Sequence, residues 1–188
     1  MAQIPFDIVG FDLDGTLVDS SLDLAAAVNH TLGTVGLPPH EVDEIKQFVG
    51  KGTRVMLERA LKASGDYTPE LLDSLTPVLM AWYQEHLTDH TRLYPGAAEA
   101  MAESRGRGVR LAICTNKFER HSRLLLSELG LADRFAVIAG QDTYGVRKPD
   151  PRHLTETIRA AGGDTRRAVM VGDSEVDIGT AQAAGVPV

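Results

Sequence analysis

The sequence predicts an α/β protein with a doubly wound parallel sheet, interrupted by a long helical insert. Three observations predict it. After Tyr94-Pro95-Gly96, short apolar runs alternate with amphipathic helical patterns, the signature of parallel strands joined by helices. Far upstream, a single apolar run, Ile8-Val9-Gly10-Phe11, leads into Asp12-Leu13-Asp14-Gly15-Thr16. Between the two, residues 19–90 carry helical patterns only. The first strand therefore belongs with the later α/β region, and the helical block is inserted behind it.

The elements follow in order. Residues 4–11 are predicted as the first strand. Asp19 or Ser20 can cap a helix whose apolar positions are Leu22, Ala25, Ala26, Leu32 and Val35, ended by Gly36 and Pro38. Val42, Ile45, Phe48 and Val49 mark a second helix, and Gly50-Lys51-Gly52 interrupts it. Val55, Met56, Leu57, Ala60 and Leu61 mark a third. Pro69 opens a longer helix with Leu71, Leu72, Leu75, Val78, Leu79 and Trp82 as its expected buried face. Helices near 96–106, 118–129, 151–161 and 175–184 then alternate with runs at Val109–Cys114, Phe135–Ala139, Ala168–Val171 and Gly185–Val188. The last run reads as the start of another strand, so a longer biological chain is expected.

Composition narrows the classes. The 188 residues are 43% hydrophobic and 24% charged, which suits a globular core. No apolar run approaches the ~18 residues of a membrane span, and the N-terminus lacks a signal-peptide pattern. One cysteine, Cys114, forms no internal disulfide; a cytoplasmic location is expected. A formal charge of −7 argues against nucleic acid as a partner. Nothing in the sequence signals an oligomeric state.

The chemistry gathers at strand ends. Asp12 and Asp14, spaced i, i+2, project to one side where open α/β sheets bind ligands. Such a pair suits nucleophile and proton handler, or a cation site. The second strand delivers Thr115, Asn116 and Lys117; the next loop delivers Lys148-Pro149; the fourth strand delivers Asp173, with Asp177 a helical turn later. A carboxylate approaching an anionic substrate meets a like-charge penalty of about 4 kcal/mol per pair at ~4 Å and an effective dielectric near 20. A hard cation with oxygen ligands answers that, and Mg²⁺ fits. Lys148 adds charge, and Thr115 and the turn amides offer hydrogen bonds to anionic oxygens. Cys114 reads as a core residue, and Gly50-Lys51-Gly52-Thr53 lacks the upstream glycine of a P-loop.

These four motifs, Asp12–Thr16, Thr115-Asn116-Lys117, Lys148-Pro149 and Gly172–Asp177, resemble those of the haloacid dehalogenase superfamily over nearly the whole chain. The resemblance implies a Rossmann-like core (1–17 and 94–188) with an α-helical cap domain (18–93). It implies that Asp12 attacks phosphorus, that Asp14 acts as acid then base, and that Mg²⁺ sits on the Asp12 carboxylate, the Asp14 backbone carbonyl and Asp173. Asp177 is expected behind these ligands, the alternative being an early-helix acid that favours the dipole. Thr16 and Asn116 are expected at the substrate. From the cap, Lys51 and Arg54 are expected to meet a second anionic group on a small phosphorylated substrate.

Asp23-Leu24-Ala25, Val49-Gly50-Lys51-Gly52, Leu57–Leu61 and Tyr94-Pro95-Gly96 are most similar to the phosphoglycolate phosphatases. Leu24 stands where mutase relatives carry a histidine, and Asp14 is retained where phosphonate-cleaving relatives lose it. Both favour plain ester hydrolysis. Related phosphatases of pyrophosphate, nucleotides or sugar phosphates share these motifs. A receiver-like regulator or an inactive phosphate-binding protein is the reading from another class.

Overall fold

The computed structural model describes residues 5–188. The expected strand start at Ile4 lies outside them. The chain folds as two compact units, one containing the segments up to Val18 and from Leu93 to Val188, the other Asp19–Arg92.

The first unit is the α/β core. Its four-stranded parallel sheet has the order β5-β4-β1-β6, with β1 Ile8–Phe11, β4 Arg110–Cys114, β5 Phe135–Ala139 and β6 Ala168–Val171. β1 is central, with Val9 opposite Leu111 on one side and Val169 on the other. The expected strand at 4–11 is shorter, because Pro5–Asp7 lie outside the ladder. The side-chain period of two then sorts the sheet into two cores. Val9, Phe11, Leu111 and Ile113 pack with Met101, Leu125 and Leu126, from helices α5 (Ala97–Gly106) and α6 (Glu119–Glu128). Ile8, Ala112, Cys114 and Met170 pack with Leu154, Ile158 and Ala181, from α7 (Pro151–Ala160) and α8 (Glu175–Ala183). Helices therefore cover both faces, which is why the strands read as unbroken apolar runs.

The run after α8 forms no strand. Gly185–Val188 has no ladder, although Pro187 O accepts a 2.9 Å bond from Met170 N–H beside β6. Proline at 187 has no N–H to return.

The connections at the unit boundary, Val18–Asp19 (β2) and Arg92–Leu93 (β3), pair as a two-stranded sheet that the sequence pattern did not reveal. Two residues are too short for a period to register.

The second unit contains α1 Ser21–Gly33, α2 Val42–Phe48, α3 Thr53–Ser64 and α4 Pro69–Glu85. Thr68 caps α4 by accepting from Leu71 N–H, and Pro69 takes the first-turn position that needs no donor. Two expected apolar stripes are corrected. In α1 the buried face is Leu24, Ala25, Ala27, Val28, Thr31 and Leu32, while Leu22 and Val35 are exposed. In α4 it is Leu72, Leu75, Leu79 and Tyr83, so Leu71, Val78 and Trp82 lie on its flank. Asp23 explains the rotation of α1. Its buried carboxylate accepts from His90 N–H, Thr91 N–H and Thr91 Oγ1 at 2.7–3.1 Å, which turns the Asp23 side inward.

Candidate active site

The site forms at the carboxyl ends of β1, β4 and β6, where the strand order switches direction around β1. Asp12 continues β1, and its N–H donates to Val171 O at 2.9 Å. The chain then coils tightly: Leu13 O accepts from Leu17 and Val18 N–H at 3.0 and 3.1 Å. Gly15 makes that coil possible. Its φ is +88°, and a Cβ there would lie 2.5 Å from Asp173 Oδ2.

Lys148 organises the interior. Its side chain is 1% exposed, with Nζ 2.5 Å from Asp177 Oδ1 and 3.1 Å from Asp12 Oδ2. The Lys148 loop is tied to the end of β4 by Asn116, whose Nδ2 donates to Lys148 O at 3.1 Å. Asp177 is equally fixed: Oδ2 accepts from Ser174 N–H at 3.0 Å and from Ser174 Oγ at 2.6 Å, and Ser174 Oγ accepts from Asp177 N–H, a capping box opening α8. Burial pushes the Asp12 carboxyl up to about 6, while the Lys148 charge and the Thr115 hydroxyl pull it down. The Lys148 ammonium, despite its burial, is held charged by Asp12 and Asp177.

On the outer side, Asp173 is exposed and accepts from Thr16 Oγ1 at 2.6 Å. Asp14 faces Lys117, whose Nζ is 3.1 Å from both Oδ atoms. Lys117 is itself nearly inaccessible, with 1% of its side chain exposed. The structure therefore brings Asp12, Asp14, Thr16, Thr115, Asn116, Lys148, Asp173 and Asp177 together, with two of them engaged otherwise than expected. Thr16 spends its hydroxyl on Asp173, and Asn116 spends its amide nitrogen on the lysine loop. Lys51 and Arg54 belong to the helical unit. Lys51 is exposed between α2 and α3, and Arg54 Nη2 pairs with Asp73 at 2.7 Å.

The donor set fits a hard divalent cation. One carboxylate oxygen from each of Asp12, Asp173 and Asp177 lies within 4.8 Å of the others. Four carboxylates face two ammonium groups, leaving excess negative charge. Asp177 is buried with its oxygens held by Lys148 and Ser174, whereas Asp173 is exposed, so Asp173 is better placed than Asp177 to ligate beside Asp12.

Three engagements are not legible in the sequence: the Asp177–Lys148, Lys117–Asp14 and Thr16–Asp173 pairs. Ser174-x-x-Asp177 just before a helix was a readable capping signature, and it would have placed Asp177 at the first turn with its carboxylate turned back. Nothing in the sequence showed which acid Lys117 would meet.

Cys114, behind Asp12, is fully buried, and burial pushes its thiol up to about 12, so it is a packing group at neutral pH. Among the described residues, no helix is long and apolar enough to cross a membrane.

The family model for haloacid dehalogenase-like hydrolases matches residues 9–188. The chain is 50% identical over 184 residues to a phosphoglycolate phosphatase of Mesorhizobium japonicum, covering 96% of this chain and 80% of that one. It is 44% identical to a phosphoglycolate phosphatase of Agrobacterium fabrum, covering 94% and 76%. Among solved structures it is similar to that of a predicted phosphoglycolate phosphatase from Haemophilus somnus, with a TM-score of 0.91, 30% identity and coverage of 98% and 84%. It also resembles CbbY from Rhodobacter sphaeroides, solved in complex with phosphate, with a TM-score of 0.78, 25% identity and coverage of 96% and 84%.

Proposed function

We propose, for a chain that belongs to the haloacid dehalogenase-like hydrolases and is a phosphatase, that it hydrolyses 2-phosphoglycolate to glycolate and phosphate through an aspartyl-phosphate. The observation that carries the chemistry is the buried Asp12 carboxylate, 3.1 Å from Lys148 and two residues before Asp14. The substrate rests on the relatives, two of which are phosphoglycolate phosphatases at 50% and 44% identity.

In the first step an Asp12 oxygen attacks phosphorus, the P–O bond to glycolate breaks, and protonated Asp14 gives its proton to the leaving oxygen. In the second step water attacks phosphorus and gives its proton to Asp14. The bond from phosphorus to Asp12 breaks, releasing phosphate and the free carboxylate. Asp14 in this role supplies about 10²–10⁴-fold in rate. Lys148 balances the charge on Asp12 as the phosphoryl group approaches, and Asp177 holds Lys148 in place. Thr115 and the amides of the Leu13–Thr16 turn supply hydrogen bonds to phosphate oxygens. The Asp12 carboxylate, the Asp14 backbone carbonyl and Asp173 would hold Mg²⁺, which when bound neutralises phosphate charge and polarises a phosphoryl oxygen. Thr16 aims Asp173 for that task.

In the helical unit, Lys51 and Arg54 are the candidates for the substrate carboxylate. Arg54 would exchange an exposed pair with Asp73, which costs little.

Phosphate release across a panel of 2-phosphoglycolate, pyrophosphate, nucleotides and sugar phosphates tests the substrate. The highest kcat/KM on 2-phosphoglycolate is expected. A higher value on any other member overturns the substrate while leaving the chemistry.

A further inference from the structure

We propose that Lys117 is a positioning residue for Asp14, holding the carboxylate in one rotamer beside Asp12; this rests on the reading of Asp14 as acid and base. Lys117 Nζ lies 3.1 Å from Asp14 Oδ1 and 3.1 Å from Oδ2, so the ammonium straddles the carboxylate. The lysine is buried to 1% exposure, whereas the Asp14 side chain keeps 14%. A buried ammonium is tolerated only with a fixed anionic partner, so the pair is a constraint on both groups.

The backbone around Lys117 makes the constraint stiff. Its N–H donates to Thr115 Oγ1 at 3.3 Å, and its carbonyl accepts from Gln141 N–H at 3.0 Å. Gly140 lies against this segment so closely that a Cβ would fall 2.7 Å from Lys117 O and 2.1 Å from Glu119 N. The segment is thus clamped between the end of β4 and the loop after β5. His121 packs in the same layer, and burial together with the Lys117 and Arg120 charges pushes its imidazole down to about 4. At neutral pH it is uncharged and adds no positive charge beside the pair.

Orientation is the property at stake. A carboxylate two residues from the nucleophile can adopt several rotamers, and only some reach the leaving oxygen. Misplacing a reacting group by ~1 Å costs up to about 10²-fold in rate. A side chain acting in this way changes kcat and leaves substrate affinity alone.

The test is a double-mutant cycle on the full chain, reading steady-state kcat and KM for phosphate release from the best substrate of the panel, with thermal melting as a folding check. Lys117→Met is expected to lower kcat by about 10–100-fold with KM changed less than about threefold. Asp14→Asn is expected to lose about 10²–10⁴-fold. The double variant should be no slower than Asp14→Asn alone within about threefold, because Lys117 acts through Asp14. Lys117→Gln keeps a donor and similar volume, and it replaces Lys117→Met in the cycle should that variant not fold. Losses that multiply in the double variant, or a KM that rises with unchanged kcat, would mean that Lys117 touches substrate or only supports the fold, and would overturn the inference. Asp14→Asn at wild-type kcat would sink the reading of Asp14 itself. Impaired Asp14→Asn beside a fully active Lys117 variant overturns the positioning role alone.

Discussion

Asp177 Oδ1 lies 2.5 Å from Lys148 Nζ, and both side chains are 1% exposed or less. The same ammonium is 3.1 Å from Asp12, so one lysine serves a structural carboxylate and the proposed nucleophile. The two roles separate by mutation. Asp177→Asn removes the charge while keeping the shape. It should destabilise the protein by about 1–3 kcal/mol, since Lys148 retains Asp12, and should lower kcat by releasing Lys148 from its fixed place. Denaturant melts and steady-state kinetics check both; an unchanged variant on both counts contradicts the anchoring role.

Lys148→Met should be the more damaging of the two. It leaves Asp12 and Asp177 buried without their cation, and an uncompensated buried charge costs about 3–5 kcal/mol. Activity should fall at least as far as in Asp177→Asn. Retention of wild-type turnover by Lys148→Met would remove lysine from the chemistry.

Thr16→Val tests the outer acid. Its hydroxyl donates to Asp173 at 2.6 Å, and removing a group that orients a ligand typically weakens metal binding about 10–100-fold. The Mg²⁺ concentration giving half-maximal rate should rise by that factor, and saturating Mg²⁺ should restore most of the rate. A lowered plateau with an unchanged midpoint would instead point to a substrate contact.

Asp12 carries a stability cost with a definite pH window. Burial raises its carboxyl from 3.8 to about 6. Between these values the folded protein keeps a proton that the unfolded chain has released, so in chelator this group's cost is full above pH 6 and fades as pH falls toward 3.8. Asp12→Asn should therefore melt higher than the parent above pH 6, by about 1–3 kcal/mol of stability, with the advantage shrinking near pH 4. A variant less stable than its parent at pH 8 in chelator contradicts this.

His153 works in the other direction. It is fully buried, and burial pushes its imidazole from 6.5 down to about 4. The unfolded chain takes up a proton first, so stability is lost as pH falls from 6.5 toward 4. Relative to the parent, His153→Leu should lose less stability between pH 7 and pH 5, by up to about 2 kcal/mol. Parallel losses in both proteins would show that His153 is not the group titrating.

How far the sequence revealed all this depends on the physics behind each element. The parallel strands were legible because both faces are buried, so Ile8–Phe11 and Arg110–Cys114 are continuous apolar runs. The stripe on α1 was misplaced because Asp23, a buried carboxylate serving His90 and Thr91, reads as a surface acid in a periodicity count. Asp12, Asp14 and Asp173 stood out because each lies just past the end of an apolar strand. Partner choice did not. That Lys148 bonds Asp177, that Lys117 bonds Asp14 and that Thr16 bonds Asp173 depends on which loops meet over the sheet, at sequence separations of 29, 103 and 157 residues.

The most direct test of the account is rapid acid quenching during turnover of 2-phosphoglycolate with Mg²⁺, followed by peptide mass spectrometry. The account predicts a phosphoryl group on Asp12 in the wild-type protein, and neither adduct nor turnover in Asp12→Asn. Sustained phosphate release by Asp12→Asn at a rate near that of the wild type would contradict it.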